Sequence, residues 1–178
     1  MLIRNVVGLI FALWWIPPIL PAIAQQQNFF TGSPPTFNGE EAPFKEVYIP
    51  SAHYYFKFSQ PENSNTAIAR ILIEPQSNID QVLFDLPNTV AFLGVPNARG
   101  QKIQIASVSQ DPNTSVITVT FVHPIGPGRN FTISLEAVQN PSYAGIYQFR
   151  VYAVPIGSNP VNMDLGLARF RIYSFGSH

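Results

Sequence analysis

Asp111-Pro112-Asn113-Thr114-Ser115-Val116-Ile117-Thr118-Val119-Thr120-Phe121-Val122 is the stretch whose reading decides the fold. Asp-Pro-Asn is strong turn chemistry: proline pre-sets its φ, and short polar side chains bond back to nearby backbone. From Ser115 to Val122 the chain then alternates, with Ile117, Val119 and Phe121 on one face and Thr118 and Thr120 on the other. Period two with β-branched residues predicts a strand that is buried on one face and wet on the other.

The same pattern extends in both directions. Downstream, Phe131–Leu135 alternates strictly, and Tyr147, Phe149, Val151 and Ala153 alternate with Gln148, Arg150 and Tyr152. Leu167–Tyr173 sets Ala168, Phe170 and Ile172 against Arg169 and Arg171. Upstream, Gln101–Val108 reads as a strand, as does the short run Ile79–Asp85. In Thr66–Glu74, Ala67, Ala69, Ile71 and Ile73 fall on one face and Ile68, Arg70, Leu72 and Glu74 on the other. Period two begins at Tyr54. No internal repeat is found. Short runs separated by Pro, Gly and Asn predict an all-β fold, an immunoglobulin-like sandwich of two antiparallel sheets. Gly145-Ile146-Tyr147-Gln148-Phe149 sharpens this. A tyrosine two residues before the core cysteine makes the tyrosine corner of such sandwiches. Here Phe149 takes the cysteine's place, and the Tyr147 hydroxyl is expected to bond backbone near Asn140–Ala144.

Ahead of the sandwich, residues 1–24 read as a signal peptide. Arg4 is followed by an apolar run from Val6 to Ile16, then Pro17, Pro18 and Pro21, and then Ala22-Ile23-Ala24 before Gln25. A positive start, an apolar middle and a small-x-small exit are the parts of a secretory signal. Cleavage is expected between Ala24 and Gln25, because the peptidase pocket admits only the small side chains of Ala22 and Ala24. A retained anchor is the competing reading. It needs about 20 continuous apolar residues, and the prolines interrupt this run early, so no stable span is expected after cleavage. Residues 25–45, rich in Gln and Pro, read as an extended segment that folds back through its phenylalanines or stays mobile. Residues 46–178 read as the sandwich proper.

Removing the first 24 of 178 residues leaves 154, enough to bury a core without staples. The chain has no cysteine, so neither disulfides nor thiolate metal sites are available, although an exported protein is permitted disulfides. Both tryptophans, Trp14 and Trp15, leave with the signal. Nine basic residues then face ten acidic ones, with no basic stripe in the sequence, which argues against nucleic acid as a partner.

The C-terminal half resembles a group of cyanobacterial exported proteins classified only as a domain of unknown function. The resemblance rests on Ile117-Thr118-Val119-Thr120-Phe121 and Pro124-Ile125-Gly126-Pro127-Gly128, followed by Asn140-Pro141 and Gly145–Phe149. It closes on Ala153–Pro160, Leu165-Gly166 and Arg169–Tyr173. It implies a signal peptide, a small β-domain and an extracytoplasmic address (periplasm, lumen, cell surface or medium), and carries no activity or catalytic residue with it. Read for themselves, these prolines, glycines and Asn-Pro pairs are turn formers.

No catalytic constellation emerges. There is no Gly-x-Ser-x-Gly elbow, and Glu40-Glu41 lie where nothing raises a carboxyl pKa. The imidazole and thioether groups His53, His123, His178 and Met163 lack ligand spacing, so neither cofactor nor metal is expected, and a periplasmic copper binder is only the second alternative. Tyr54, Tyr55, Tyr143 and Tyr152 are candidates for an exposed aromatic platform, with Arg150, Arg169, Arg171 and Gln148 as polar partners. Such a platform suits sugar rings, while ordinary cross-strand packing explains it as well. The three arginines form a stripe if their strands are neighbours. Asn113-Thr114-Ser115 and Asn130-Phe131-Thr132 fit the glycosylation pattern, expected to be unmodified in a bacterial protein. The expectation is a non-enzymatic extracytoplasmic interaction module whose partner is an envelope protein or a polysaccharide; a carbohydrate-binding domain is the alternative.

Overall fold

A computed structural model describes residues 27–176. The expected export signal, with Ala22, Ala24 and Gln25, lies outside the described residues.

Ten strands run antiparallel in two five-stranded sheets. The first sheet has the order β1 (Thr36–Glu41), β2 (Pro50–Gln60), β8 (Arg129–Gln139), β4 (Val90–Val95), β5 (Ala98–Ile103). The second has the order β10 (Met163–Ile172), β9 (Gly145–Pro155), β3 (Ile68–Pro75), β7 (Ile117–Ile125), β6 (Ile105–Gln110). The alternating residues do what their period demands. Phe56, Phe58, Ile71, Ile73, Val119, Phe131, Ile133, Phe149 and Phe170 are buried between the sheets. Phe56, Phe149 and Phe170 meet edge to face across the core, with centroids 5.3–6.0 Å apart. Burying each such ring contributes about 1.5–3 kcal/mol.

Four departures from the sequence pattern have local causes. Gln101–Val108 is two strands: β5 pairs with β4 in one sheet, β6 with β7 in the other, and Gln104 marks the crossing, its carbonyl accepting the Val122 N–H at 3.0 Å. Ile79–Asp85 is no strand. Val82 and Phe84 still face the core, but Phe84 alone bridges, to Ala137, before Leu86–Asn88 turns as a short 3-10 helix. In β3 the register slips between Ile68 and Arg70, so Ile68, which strict alternation sets opposite Ile71 and Ile73, is fully buried with them. And the segment expected to precede the sandwich supplies its edge strand. Asn38-Gly39 reads as a turn but is a bulge in β1, where Gly39 takes φ 93° and pairing with β2 resumes at Glu40. Phe37 packs on Phe58 at 5.7 Å, so the sandwich begins before residue 46.

The strand directions sort the loops to two ends. Residues 42–49, 76–89, 111–116, 140–144 and 173–176 lie at one end, called here the corner end; 61–67, 96–97, 126–128 and 156–162 lie at the other, with Asn28 bonded to Asn159.

Candidate functional site: an apolar end on a buried polar frame

The corner end is named for Tyr147. Its ring is buried, and its hydroxyl donates to the Tyr143 carbonyl at 2.7 Å, the bond expected of a tyrosine corner. Phe149 is buried where an immunoglobulin cysteine stands. Beside it Tyr54 points inward from β2 and donates to Asn140 Oδ1 at 2.8 Å. Asn140 is 2% exposed, and its Nδ2 donates to the carbonyls of Phe44 (3.1 Å) and Glu46 (2.7 Å). One amide thus ties the β8–β9 loop to the β1–β2 loop and to a core tyrosine. Asn78 does the same for the β3–β4 loop: its Oδ1 accepts the Gln148 N–H at 2.7 Å and its Nδ2 donates to the Gln148 carbonyl at 3.2 Å. The Asp80 carboxylate accepts the Ser142 N–H, while the Val47 N–H donates to the Tyr173 carbonyl and the Tyr173 N–H to the Lys45 carbonyl, tying down the C-terminal segment. Burial, with Asp80 nearby, pushes the Tyr147 phenol up to about 12; burial raises that of Tyr54 as well.

This frame carries an apolar surface. Nine of the thirteen large hydrophobic side chains exposed among the described residues lie at the corner end. Phe44 and Tyr48 come from the β1–β2 loop, Ile79 and Leu83 from the β3–β4 loop, Val138 from the end of β8, Tyr143 from the loop after it and Ile146 from the start of β9; Tyr173 and Phe175 come from the C-terminal segment. Phe175 is 69% exposed and Tyr143 61%. Loop tips are normally polar, and apolar residues scattered singly need no explanation. Nine at one end, on segments joined by hydrogen bonds, are an unusual concentration.

The aromatic platform expected from sequence is not assembled. Tyr54 is fully buried, because the alternation of β2 turns it inward. Tyr55 faces outward but is 4% exposed: the Arg99 guanidinium lies over its ring and over Phe92, donates from Nη2 to its hydroxyl at 2.7 Å, and His53 stacks beside it. Tyr152 lies half-buried on the outer face of the second sheet, bonded to Glu74 at 2.9 Å. Tyr143 alone of the four is exposed. Arg150, Arg169 and Arg171 do share a face of neighbouring strands, since Leu167 pairs with Arg150, Arg169 with Gln148 and Arg171 with Ile146. Arg150 is taken up by Asp164, leaving Arg169 and Arg171 as exposed cations. No three metal-ligating residues converge among the described residues.

Asn140 and the apolar loop residues were not legible as a site. Asn140-Pro141 reads only as a loop start, and each loop contributes only two or three of the nine side chains.

Strand order, antiparallel pairing and the tyrosine corner make this an immunoglobulin-like β-sandwich. The chain belongs to the family described as "Protein of unknown function (DUF2808)", whose pattern matches residues 27–172. Full-length major pilin SpaD from Corynebacterium diphtheriae superposes with a TM-score of 0.50 at 12% identity, over 76% of this chain and 34% of the pilin. BslA, a bacterial hydrophobin, gives 0.45 at 11% identity over 82% of this chain and 98% of its own; a collagen-binding domain from a Staphylococcus aureus adhesin gives 0.42 at 9% over 77% and 96%. At such identities the likeness concerns the fold alone. No curated protein sequence matches the chain.

Proposed function

We propose that the mature chain is a non-enzymatic interaction module of the extracytoplasmic space that docks through its corner end onto the apolar surface of an envelope protein. The observation that carries this reading is the gathering of nine exposed large hydrophobic side chains on four hydrogen-bonded segments at that end. Aromatic anchors on a rigid support lose little conformational freedom on binding, which is what makes docking surfaces effective. The signal-like leader supports the address. Asn28 bonds to Asn159 at the opposite end, so the chain enters the domain far from the proposed docking surface.

Site-specific photo-crosslinking in intact cells tests it. A photoreactive residue replacing Tyr143 should capture a discrete partner, whereas one replacing Arg169 on the outer sheet face should not. Equal capture from both positions, or none from 143, contradicts the reading.

A further inference from the structure

A different part of the molecule carries a second kind of site. Where the chain leaves one sheet for the other, the run Gln101–Gln104 is flanked by two hollows that share Lys102 and Ile103. The first, about 400 Å³, lies against the β7–β8 turn and is completed by Leu93, His123, Pro124 and Arg129. The second, about 330 Å³, lies against the 3-10 turn and includes Thr89. They adjoin at Lys102 and Ile103, and the pair is called here the groove.

Its chemistry is one-sided. Lys102, His123 and Arg129 line it, and no carboxylate does. Their side chains and those of Gln101 and Gln104 make no hydrogen bond or ion pair among the described residues, so their donors are free for a ligand. Three cations elsewhere are taken up, Arg150 by Asp164, Lys57 by Glu41 and Arg99 by Tyr55. Thr89 is a second, independent pointer. It is 8% exposed, and its Oγ1 is buried with no hydrogen-bond partner, a state that costs free energy unless something bonds it.

We propose that this groove binds a linear anionic polysaccharide. Lys102, at the junction of the two hollows, and Arg129 take carboxylate or sulfate groups on successive units, with the His123 ring beside them as a further hydrogen-bonding group. The amides of Gln101 and Gln104 and the Thr89 hydroxyl serve sugar hydroxyls, and Leu93, Ile103 and Pro124 offer the apolar floor that C–H faces of sugar rings need. Each hollow falls in the range of about 300–1,000 Å³ typical of small-ligand sites, and two in line suit a chain rather than a single ion. The groove contains no Phe, Tyr or Trp ring for base stacking, which disfavours a nucleic-acid strand of the same charge.

Isothermal titration of the purified protein with an oligogalacturonate and with a sulfated oligosaccharide of equal length tests this. A neutral cello-oligosaccharide and an oligonucleotide of matched charge are the comparators. At least one anionic saccharide should bind at least tenfold more tightly than both comparators. Lys102→Ala and Arg129→Ala, both exposed and remote from the core, should each weaken it about tenfold, while Arg169→Ala with Arg171→Ala should change it less than twofold. Which anion binds separates the carboxylate from the sulfate source. No saccharide binding, equal binding of either comparator, or equal loss from the Arg169 and Arg171 pair overturns the proposal.

Discussion

Replacing Asn140 by alanine removes the most connected polar side chain of the frame. Three hydrogen bonds go: from the Tyr54 hydroxyl, and to the carbonyls of Phe44 and Glu46. Each such bond contributes about 1 kcal/mol net, and a buried donor left unpaired costs about 1–3 kcal/mol. The Tyr54 hydroxyl, on a fully buried residue, is that donor. Asn140→Ala is therefore expected to lose about 3–4 kcal/mol, a large part of a marginal stability. Tyr54→Phe alone should lose about 1–1.5 kcal/mol, because Asn140 keeps two partners. In the Asn140→Ala background the same change removes the unpaired hydroxyl and should be neutral or stabilising. Urea unfolding of the wild type, both single variants and the double variant gives the cycle, with the coupling read from midpoints at constant slope. A loss below about 1 kcal/mol for Asn140→Ala, or additive effects in the cycle, refutes the claim that this amide organises the corner end.

Other expectations follow from single contacts. The Tyr147 phenol titrates near 12 when folded, against an ordinary value of about 10. Its stabilisation is complete below pH 10 and is lost as pH rises through the folded value, so melting temperature should fall between pH 10 and 12, less steeply in Tyr147→Phe. Gly94 sits at φ 85° with the Ala98 carbonyl 2.5 Å from where a Cβ would stand. Gly94→Ala should therefore destabilise by about 1–3 kcal/mol in the same urea assay. Phe149→Ala, at the point where three rings meet, should lose about 3–5 kcal/mol by denaturant titration.

Much of the fold was legible because Ile117–Phe121, Phe131–Leu135 and Tyr147–Ala153 alternate without ambiguity, and each alternation is a local statement about one face. The tyrosine corner was legible for the same reason: Tyr147 and its acceptor at Tyr143 are four residues apart. Tyr54-Tyr55-Phe56 was not, since three successive aromatics carry no polar residue to say which face is wet. Tyr55 is hidden by Arg99, 44 residues away in sequence. Strand β4 was missed because Val90–Val95 is apolar on both faces: Phe92 turns outward under Arg99 while Ala91 faces the core. Strand β1 was hidden by a bulge whose Asn-Gly reads as a turn. The apolar end is a property of four distant segments brought together by Asn140, Asn78 and Tyr173, and no single window of sequence contains it.

On the proposed function, the corner end holds the protein to its envelope partner. Cell fractionation of the wild type and a Phe44→Ser, Tyr143→Ser, Phe175→Ser variant tests it most directly. All three side chains are more than half exposed, so the variant should fold, each change altering stability by less than about 0.5 kcal/mol. The wild type should be envelope-bound and the folded variant released to the soluble extracytoplasmic fraction. A folded variant that stays with the envelope as fully as the wild type contradicts it.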